Sequence, residues 1–180
     1  GLDIELNEAR RVIQVYRNSN WKIGHLWREA QNVLKCIHNM DSAPLGLDGV
    51  LTVVPEQSAI RLPSGLYLRY ADLQFEQEER GPQFTYHTRE GRKKIYGGKV
   101  VENVCQAIAR CIIAEQMLKI PKRYKVVLTV HDSIVCCVPD AAVSEAQLSI
   151  EESMRWIPDW AEGLPLDCES GIGTNYGECE

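Results

Sequence analysis

Apolar residues recur at intervals of three and four positions in four parts of the chain, and this spacing predicts four helices. The longest stripe begins at Val100 and ends before Pro121, which cannot continue a helix. Such stripes are typical of a helix face that packs into a core. Asp140 stands where the N-cap of the last helix is expected. The predicted helices are Asn7–Arg17, Ile23–Ile37, Lys99–Lys119 and Ala141–Trp156.

Shorter apolar runs between these helices predict antiparallel strands. Two of them, Val126–Val130 and Ile134–Val138, are separated by only three polar residues, which predicts a hairpin with a polar tip. Helices mixed with short antiparallel strands predict an α+β fold. The other predicted strands are Ile60–Leu62, Leu66–Phe75, Gln83–Thr88 and Leu166–Ile172, with the second and third paired across an acidic turn at Glu76–Pro82.

Composition narrows the class of protein. The chain has 180 residues, of which 44% are hydrophobic and 25% charged, as expected for a globular domain with a core. No apolar run is long enough to predict a membrane span. The seven cysteines are odd in number and lack Cys-x-x-Cys spacing, which argues against a zinc ribbon. We interpret Cys105, Cys111 and Cys136 as buried apolar residues, and expect a reducing, cytoplasmic location.

The charge is unevenly distributed along the chain. A net charge of −5 argues against a free-standing DNA-binding module, but two stretches are locally basic. Such stretches suit contact with phosphates, although charge alone favours the plainer interpretation, a solvated loop. The two basic stretches contain Arg89, Arg92, Lys93, Lys94 and Lys99, and then Lys119, Lys122, Arg123 and Lys125.

The polar tip of the predicted hairpin, His131-Asp132-Ser133, is the first candidate for chemistry. A carboxylate held by two strands is a suitable oxygen ligand for Mg²⁺. Local physics alone favours an ordinary polar turn, because Asp is a common turn residue. A hydrolase triad is excluded, since adjacent residues cannot form the required chain of hydrogen bonds.

The second candidate is a polar stripe on the longest predicted helix. Its members are three or four positions apart, so they share one helix face, where amides and cations can contact a nucleic-acid duplex. The alternative is a solvated face. The preceding Gly97-Gly98-Lys99 is not a phosphate-binding loop, because Val100 replaces the required Ser or Thr. The stripe consists of Lys99, Glu102, Asn103, Gln106 and Arg110.

Taken together and in this order, several segments resemble family A (DNA polymerase I-like) DNA polymerases of the phage type. In that family the first long block is the helix that lies along the primer–template duplex, and the second is motif C, usually His-Asp-Glu. The similarity is most specific over residues 60–180. The segments that carry it are Leu62–Gly65, Leu68–Tyr70, Tyr96–Arg110, Val126–Ile134 and Gly163–Leu166.

The resemblance implies a role for each candidate. Asp132 matches the motif C aspartate that binds catalytic metal, and His131 matches the neighbouring histidine near the primer terminus. Gln106 matches a glutamine that contacts the duplex, with Lys99, Glu102, Asn103 and, less specifically, Arg110 on the same face. Residues 1–58 correspond to the helices after the fingers and a loop, and residues 59–180 to the C-terminal part of a palm-like antiparallel sheet, its motif C hairpin packed against long helices.

The implied reaction is nucleotidyl transfer from a deoxynucleoside triphosphate to a primer 3′-hydroxyl on primer–template DNA. Two Mg²⁺ ions would lower the pKa of the hydroxyl and stabilise charge on the leaving pyrophosphate. No membrane partner is expected.

Two departures from the family qualify this assignment. Ser133 replaces the motif C glutamate, and no sequence resembles motif A, which carries the other metal-binding aspartate, or the nucleotide-binding fingers helix. We therefore expect a C-terminal fragment whose missing N-terminal part would precede Gly1. We expect it to be inactive alone, and to self-associate through apolar surface that the missing part would cover. The alternatives are a non-catalytic nucleic-acid-binding module and a structural domain whose similarity is a relic.

Overall fold

The computed structural model describes residues 5–46, 49–78 and 81–179. Along the described chain two helices are followed by six strands, a third helix, a two-stranded hairpin and a fourth helix, and every strand pairing is antiparallel. The predicted α+β class is confirmed. The helices are α1 (Leu6–Ser19), α2 (Trp21–His38), α3 (Gly97–Lys119) and α4 (Val143–Arg155). The strands are β1 (Thr52–Val54), β2 (Ala59–Arg61), β3 (Tyr67–Arg69), β4 (Gln74–Glu78), β5 (Gly81–Thr88), β6 (Gly91–Ile95), β7 (Lys125–Val130) and β8 (Ser133–Cys137).

The chain divides into two compact units, Gly1–Cys105 and Gln106–Glu180. The first unit contains two three-stranded sheets, with strand orders β1-β2-β3 and β4-β5-β6. Helix α2 lies against them with its predicted apolar stripe, of which Val33, Leu34 and Ile37 are buried. The ring of His38 at the end of α2 lies edge-on to Phe84 of β5, with 6.1 Å between the ring centroids. Aromatic packing of this kind fixes the second sheet against the helix.

The start of α3 is held against α2 by a close approach of two backbones. A Cβ added at Gly97 would overlap the carbonyl oxygen of Trp27 and stand 2.7 Å from the backbone nitrogen of Gln31. The side chain of Gln31 accepts a hydrogen bond from the Gly97 backbone N–H at 2.8 Å. This bond satisfies one of the four N–H groups that a helix start leaves unpaired. Val100, one turn further on, is fully buried.

The second unit packs the β7–β8 hairpin beside α4. Ile120, Tyr124 and Ala146 form its buried cluster, and Val126, Ile134 and other apolar side chains pack around it. Gln116 of α3 is 2% exposed. Its amide donates hydrogen bonds to the backbone carbonyls of Met154 and Trp156, so the last turn of α4 is tied to the end of α3.

The strands of the first unit differ from the prediction in number. The strand predicted at Leu66–Phe75 is two strands, β3 and β4, because Asp72 adopts a positive φ of 49° between them. Strands β1 and β6 were not predicted. The pairing of Gln83–Thr88 with the preceding strand is confirmed in β4–β5. The turn predicted at Glu76–Pro82 is shorter, since the strands run to Glu78 and from Gly81, and residues 79–80 lie outside the described residues.

Three predictions about the second half of the chain are wrong. Asp140 does not cap α4, because Asp140–Ala142 forms a 3₁₀ turn and the helix begins after it, with Ala142 as N-cap. Residues 166–172 are not a strand. Cys105 is exposed, whereas Cys111 is buried as predicted and Cys136 is half-buried. Desolvation raises the pKa of the Cys136 thiol.

Two further expectations concern surfaces. Among the described residues, none of the helices carries an apolar stretch that would let it cross a membrane. Helix α1 buries none of its residues, and Val12, Ile13 and Tyr16 are at least half exposed. The prediction that the apolar stripe of this helix packs into a core is therefore wrong. The expected self-association through apolar surface stays a prediction. The expected division by role near residue 58 also stays a prediction.

The contact at Gly97 predicts opposite effects of two glycine-to-alanine substitutions. Gly97→Ala should destabilise the chain by about 1–3 kcal/mol, because backbone atoms on both sides must move. Gly24→Ala, inside α2, should stabilise it by about 0.5–1 kcal/mol, since nothing lies within 4 Å of the added carbon and alanine favours helix. Urea unfolding followed by circular dichroism measures both. Equal effects of the two substitutions would contradict the close approach.

Candidate functional site

Asp132 lies at the tip of the β7–β8 hairpin, as predicted. Val130 pairs with Ser133, so His131 and Asp132 are the two residues of the turn. His131 has a positive φ of 54°. Two-residue turns that match the twist of a hairpin require this conformation at their first residue, where Gly or Asn is usual. A histidine held there stores about 1–2 kcal/mol of backbone strain.

A β-bulge in β7 determines which side chains face the core. Val126 pairs with Cys136 and Leu128 with Val135, which leaves Val127 without a partner across the hairpin. The extra residue shifts the alternation by one position, so that Leu128 is 46% exposed and Ile134 packs on the core. Bulges also increase the local twist of a hairpin and often lie next to functional residues.

The tip alone does not form a metal centre. His131, Asp132 and Ser133 are all exposed. Within residues 5–46, 49–78 and 81–179, no group of three or more His, Cys, Asp or Glu side chains could hold a metal ion. The Asp132 carboxylate could supply one oxygen ligand to Mg²⁺. Proteins usually hold this ion through one or two carboxylates together with substrate phosphates.

All five residues of the predicted polar stripe fall within α3. Lys99 and Glu102 form an ion pair with 2.7 Å between Nζ and Oε1. Exposed pairs of this kind contribute about 0–1 kcal/mol, so both side chains remain available to a ligand. Gln106 and Arg110, in the second unit, are exposed.

Asn103 connects the stripe to Tyr70, the residue that follows β3. Its side-chain amide donates a hydrogen bond to the hydroxyl oxygen of Tyr70 at 3.4 Å. The Tyr70 ring meets the Tyr86 ring edge-to-face, with 5.3 Å between centroids. Burial raises the pKa of Tyr70 to about 12, against a smaller opposing effect of the Asn103 hydrogen bond. Nothing in the sequence signalled this pair, because Tyr70 follows β3 whereas Tyr86 lies on β5, and another strand separates them along the chain.

The first basic stretch separates into two roles. Arg92 donates hydrogen bonds to the Asp72 carboxylate at 2.6 Å and to the Thr85 hydroxyl at 3.0 Å. A hydrogen bond from the Arg92 guanidinium, and to a smaller extent one from the Gln74 amide, lowers the pKa of the Asp72 carboxyl. Arg92 therefore holds β6 to the turn before β4 and is a structural residue. The other cations, Arg89, Lys93, Lys94 and Lys99, line a common groove.

The raised pKa of Tyr70 predicts a stability change at high pH. The folded pKa of about 12 exceeds the ordinary value of 10.0, so the contribution is complete below pH 10 and is lost as pH rises from about 10 towards 12. In Tyr70→Phe, the fall in melting temperature between these pH values should be smaller than in the unsubstituted chain.

Absorbance of tyrosinate supplies the direct measurement. Tyr70→Phe should remove the part of the titration with a midpoint near pH 12, and Asn103→Ala should move that part to still higher pH. A titration in which Tyr70→Phe instead lost amplitude near pH 10 would show that the ring is not desolvated.

Comparison with known proteins shows similarity to a phage DNA polymerase. The chain is 33% identical to a DNA polymerase of Bacillus phage SP02, over an alignment of 181 positions that covers 94% of this chain. The same alignment covers 27% of that polymerase, so the chain spans about a quarter of its length. No protein-family model matches the chain, and no solved structure matches it. The chain is thus a homologue of part of a phage DNA polymerase.

Proposed function

We propose that this chain is the C-terminal part of a family A DNA polymerase of the phage type, with a palm-like fold around motif C. In this proposal it contributes to template-directed transfer of nucleotides from deoxynucleoside triphosphates to a primer 3′-hydroxyl. The remaining catalytic groups belong to an N-terminal part of the same polymerase.

One observation carries the proposal. Similarity to a phage DNA polymerase extends over 94% of the chain at 33% identity, so it is not confined to one short motif. It includes the two segments singled out by their chemistry, the polar stripe of α3 and the His131-Asp132 turn. The alignment covers only 27% of the relative, as expected if this chain is one part of a larger enzyme.

Asp132 is the proposed metal-binding carboxylate. Its place in a two-residue turn between two paired strands limits its movement, and its exposure lets it reach a ligand from outside the hairpin. Bound Mg²⁺ would stabilise developing charge on phosphate oxygens. His131, fixed beside it by the turn, is proposed to contact the primer terminus.

Helix α3 is the proposed duplex-contacting element. Gln106 and Arg110 are exposed, and they can donate hydrogen bonds to phosphate, sugar or groove edges. Lys99, Glu102 and Asn103 extend the same helix towards its start. Contacts to phosphate and sugar set the position of the duplex and carry little sequence information, as a polymerase requires.

Ser133 favours a second candidate, a nucleic-acid-binding module without catalysis. A serine cannot carry the negative charge of the motif C glutamate, so any metal or solvent network that the glutamate supports would be weakened. Duplex binding that depends on salt but not on Mg²⁺, together with normal activity of an Asp132 variant, would favour this candidate.

Asp132→Asn should lower primer extension by at least about a hundredfold in a polymerase that contains this chain, because an amide cannot supply the charge of a metal-binding carboxylate. Steady-state extension of a labelled primer measures the effect. The isolated 180-residue chain is expected to give no extension.

The matched control is Asp140→Asn, which removes an exposed carboxylate from the 3₁₀ turn after the hairpin. Its rate should stay within about twofold of the parent rate. Normal extension by the Asp132 variant would refute the metal role. Extension by the isolated chain, free of contaminating polymerase, would refute the need for a further part.

Gln106→Ala should weaken binding of a primer–template duplex by about threefold to tenfold, the usual loss for one hydrogen bond. The salt dependence of binding should not change, because no charge is removed. Fluorescence anisotropy of labelled duplex at several salt concentrations measures both quantities.

Gln14→Ala on α1 is the control, since Gln14 is also an exposed helical glutamine and its amide contacts only Asn18 among the described hydrogen bonds. It should bind the duplex as the unsubstituted chain does. Equal affinities of the two variants would remove Gln106 from the proposed interface.

A further inference from the structure

An open groove of about 400 Å³ lies between the tip of the β5–β6 hairpin and the start of α3. Four cations and one carboxylate are among the residues that line it. The chain as a whole has a net charge of −5, so this concentration of positive charge is a local feature of the first unit. Its charged lining residues are Arg89, Glu90, Lys93, Lys94 and Lys99.

The hairpin holds these cations on a defined scaffold. Thr88 pairs with Gly91, so Arg89 and Glu90 are the two residues of its turn. The Thr88 hydroxyl donates a hydrogen bond to the Gly91 carbonyl at 2.7 Å and accepts one from the Glu90 backbone N–H at 3.2 Å. The Thr88 side chain thus closes the turn and fixes the backbone at Arg89 before any ligand arrives, which reduces the backbone entropy lost on binding.

Lys93 and Lys99 each form an ion pair that a ligand could replace. Lys93 contacts Glu90, and Lys99 contacts Glu102, each at 2.7 Å between nitrogen and oxygen. Both pairs are exposed and three residues apart, a class that contributes about 0–1 kcal/mol. Each glutamate raises the pKa of its lysine, so both lysines stay protonated at neutral pH. A phosphate can therefore replace a carboxylate at little cost.

The groove adjoins the start of the polar stripe on α3, within the first unit. Tyr86 lines the groove and packs on Tyr70, whose hydroxyl accepts the hydrogen bond from Asn103. Lys99 belongs both to the groove and to the polar stripe. A ligand that runs along the start of α3 would therefore meet the groove next.

We propose that this groove binds the phosphate backbone of a nucleic-acid strand and extends the proposed duplex contact of α3 onto the β5–β6 hairpin. The inference rests on the proposed function for the identity of the ligand. A polyanion suits this groove, because its four cations come from three elements, the turn, β6 and α3, around an open volume of about 400 Å³. Arg89 is suited to paired hydrogen bonds with phosphate oxygens, and the lysines to charge neutralisation.

The test is the salt dependence of duplex binding by the 180-residue chain, measured by fluorescence anisotropy. Arg89→Gln combined with Lys93→Gln should lower the slope of log affinity against log salt by about 2, or about 1 for each lost phosphate contact. The control is Arg10→Gln combined with Lys22→Gln, which also removes one arginine and one lysine charge, but from exposed positions on α1 and α2. It should leave the slope unchanged. Equal slopes for the two double variants would overturn the proposal.

A second variant is expected to bind the duplex more tightly, a result that misfolding cannot produce. Glu90→Gln removes the carboxylate from the groove and releases Lys93, so it should tighten binding by about twofold to fivefold. The backbone N–H of Glu90 that closes the turn is unaffected. Weaker binding by this variant, with an unchanged melting temperature, would contradict the proposal.

Two further results separate this inference from the proposed function. If Gln106→Ala weakens duplex binding while the groove variant keeps the parent slope, the groove proposal fails and the function of α3 stands. If the unsubstituted chain binds no duplex, both fail. Inorganic tripolyphosphate at constant ionic strength should compete with the duplex only weakly, and strong competition that the groove variant abolishes would identify a small-anion site instead.

Discussion

The close approach of Gly97 to α2 is the constraint on which the candidate interface depends. Only a residue without a side chain can bring the start of α3 against the Trp27 carbonyl, and Gln31 then satisfies the Gly97 N–H. This contact fixes where α3 begins, and therefore the direction in which Lys99 and Asn103 lie relative to the second sheet. A helix that started one turn later would still be amphipathic, but its polar side chains would not meet the tyrosine pair.

Helix α3 combines two kinds of face over its length. Val100 and Val104 are buried in the first unit, and Ile112 and Gln116 in the second, while Gln106 and Arg110 are exposed. Within each unit, the buried residues of the helix set the position of the exposed polar side chains beside them. Fixed polar positions suit the proposed contact with a duplex, which needs no recognition of bases.

Elements with a long periodic pattern of apolar residues were predicted correctly from the sequence. Features that depend on the conformation of single residues were not. The stripe ending before Pro121 located α3, and the two apolar runs located the β7–β8 hairpin. No periodic pattern indicates that Asp72 adopts a positive φ and divides one predicted strand into two. The Asp140 cap was wrong because a 3₁₀ turn precedes α4. The groove was missed because β6 was not predicted. Its three cations follow one another, and Ile95 is its first apolar residue, so the segment lacks the alternating pattern of a strand.

The unpaired residue of β7 also limits the length of the hairpin. The turn already consists of two residues, and a shift of one residue exchanges the faces of a strand. Between Val127 and Ser133 an insertion or a deletion would therefore disturb the pairing of the hairpin, although the exposed side chains of Val127 and Leu128 can be replaced. Related chains should differ in this segment by substitution, and a gap there in a comparison of two sequences marks a hairpin with a different inner face.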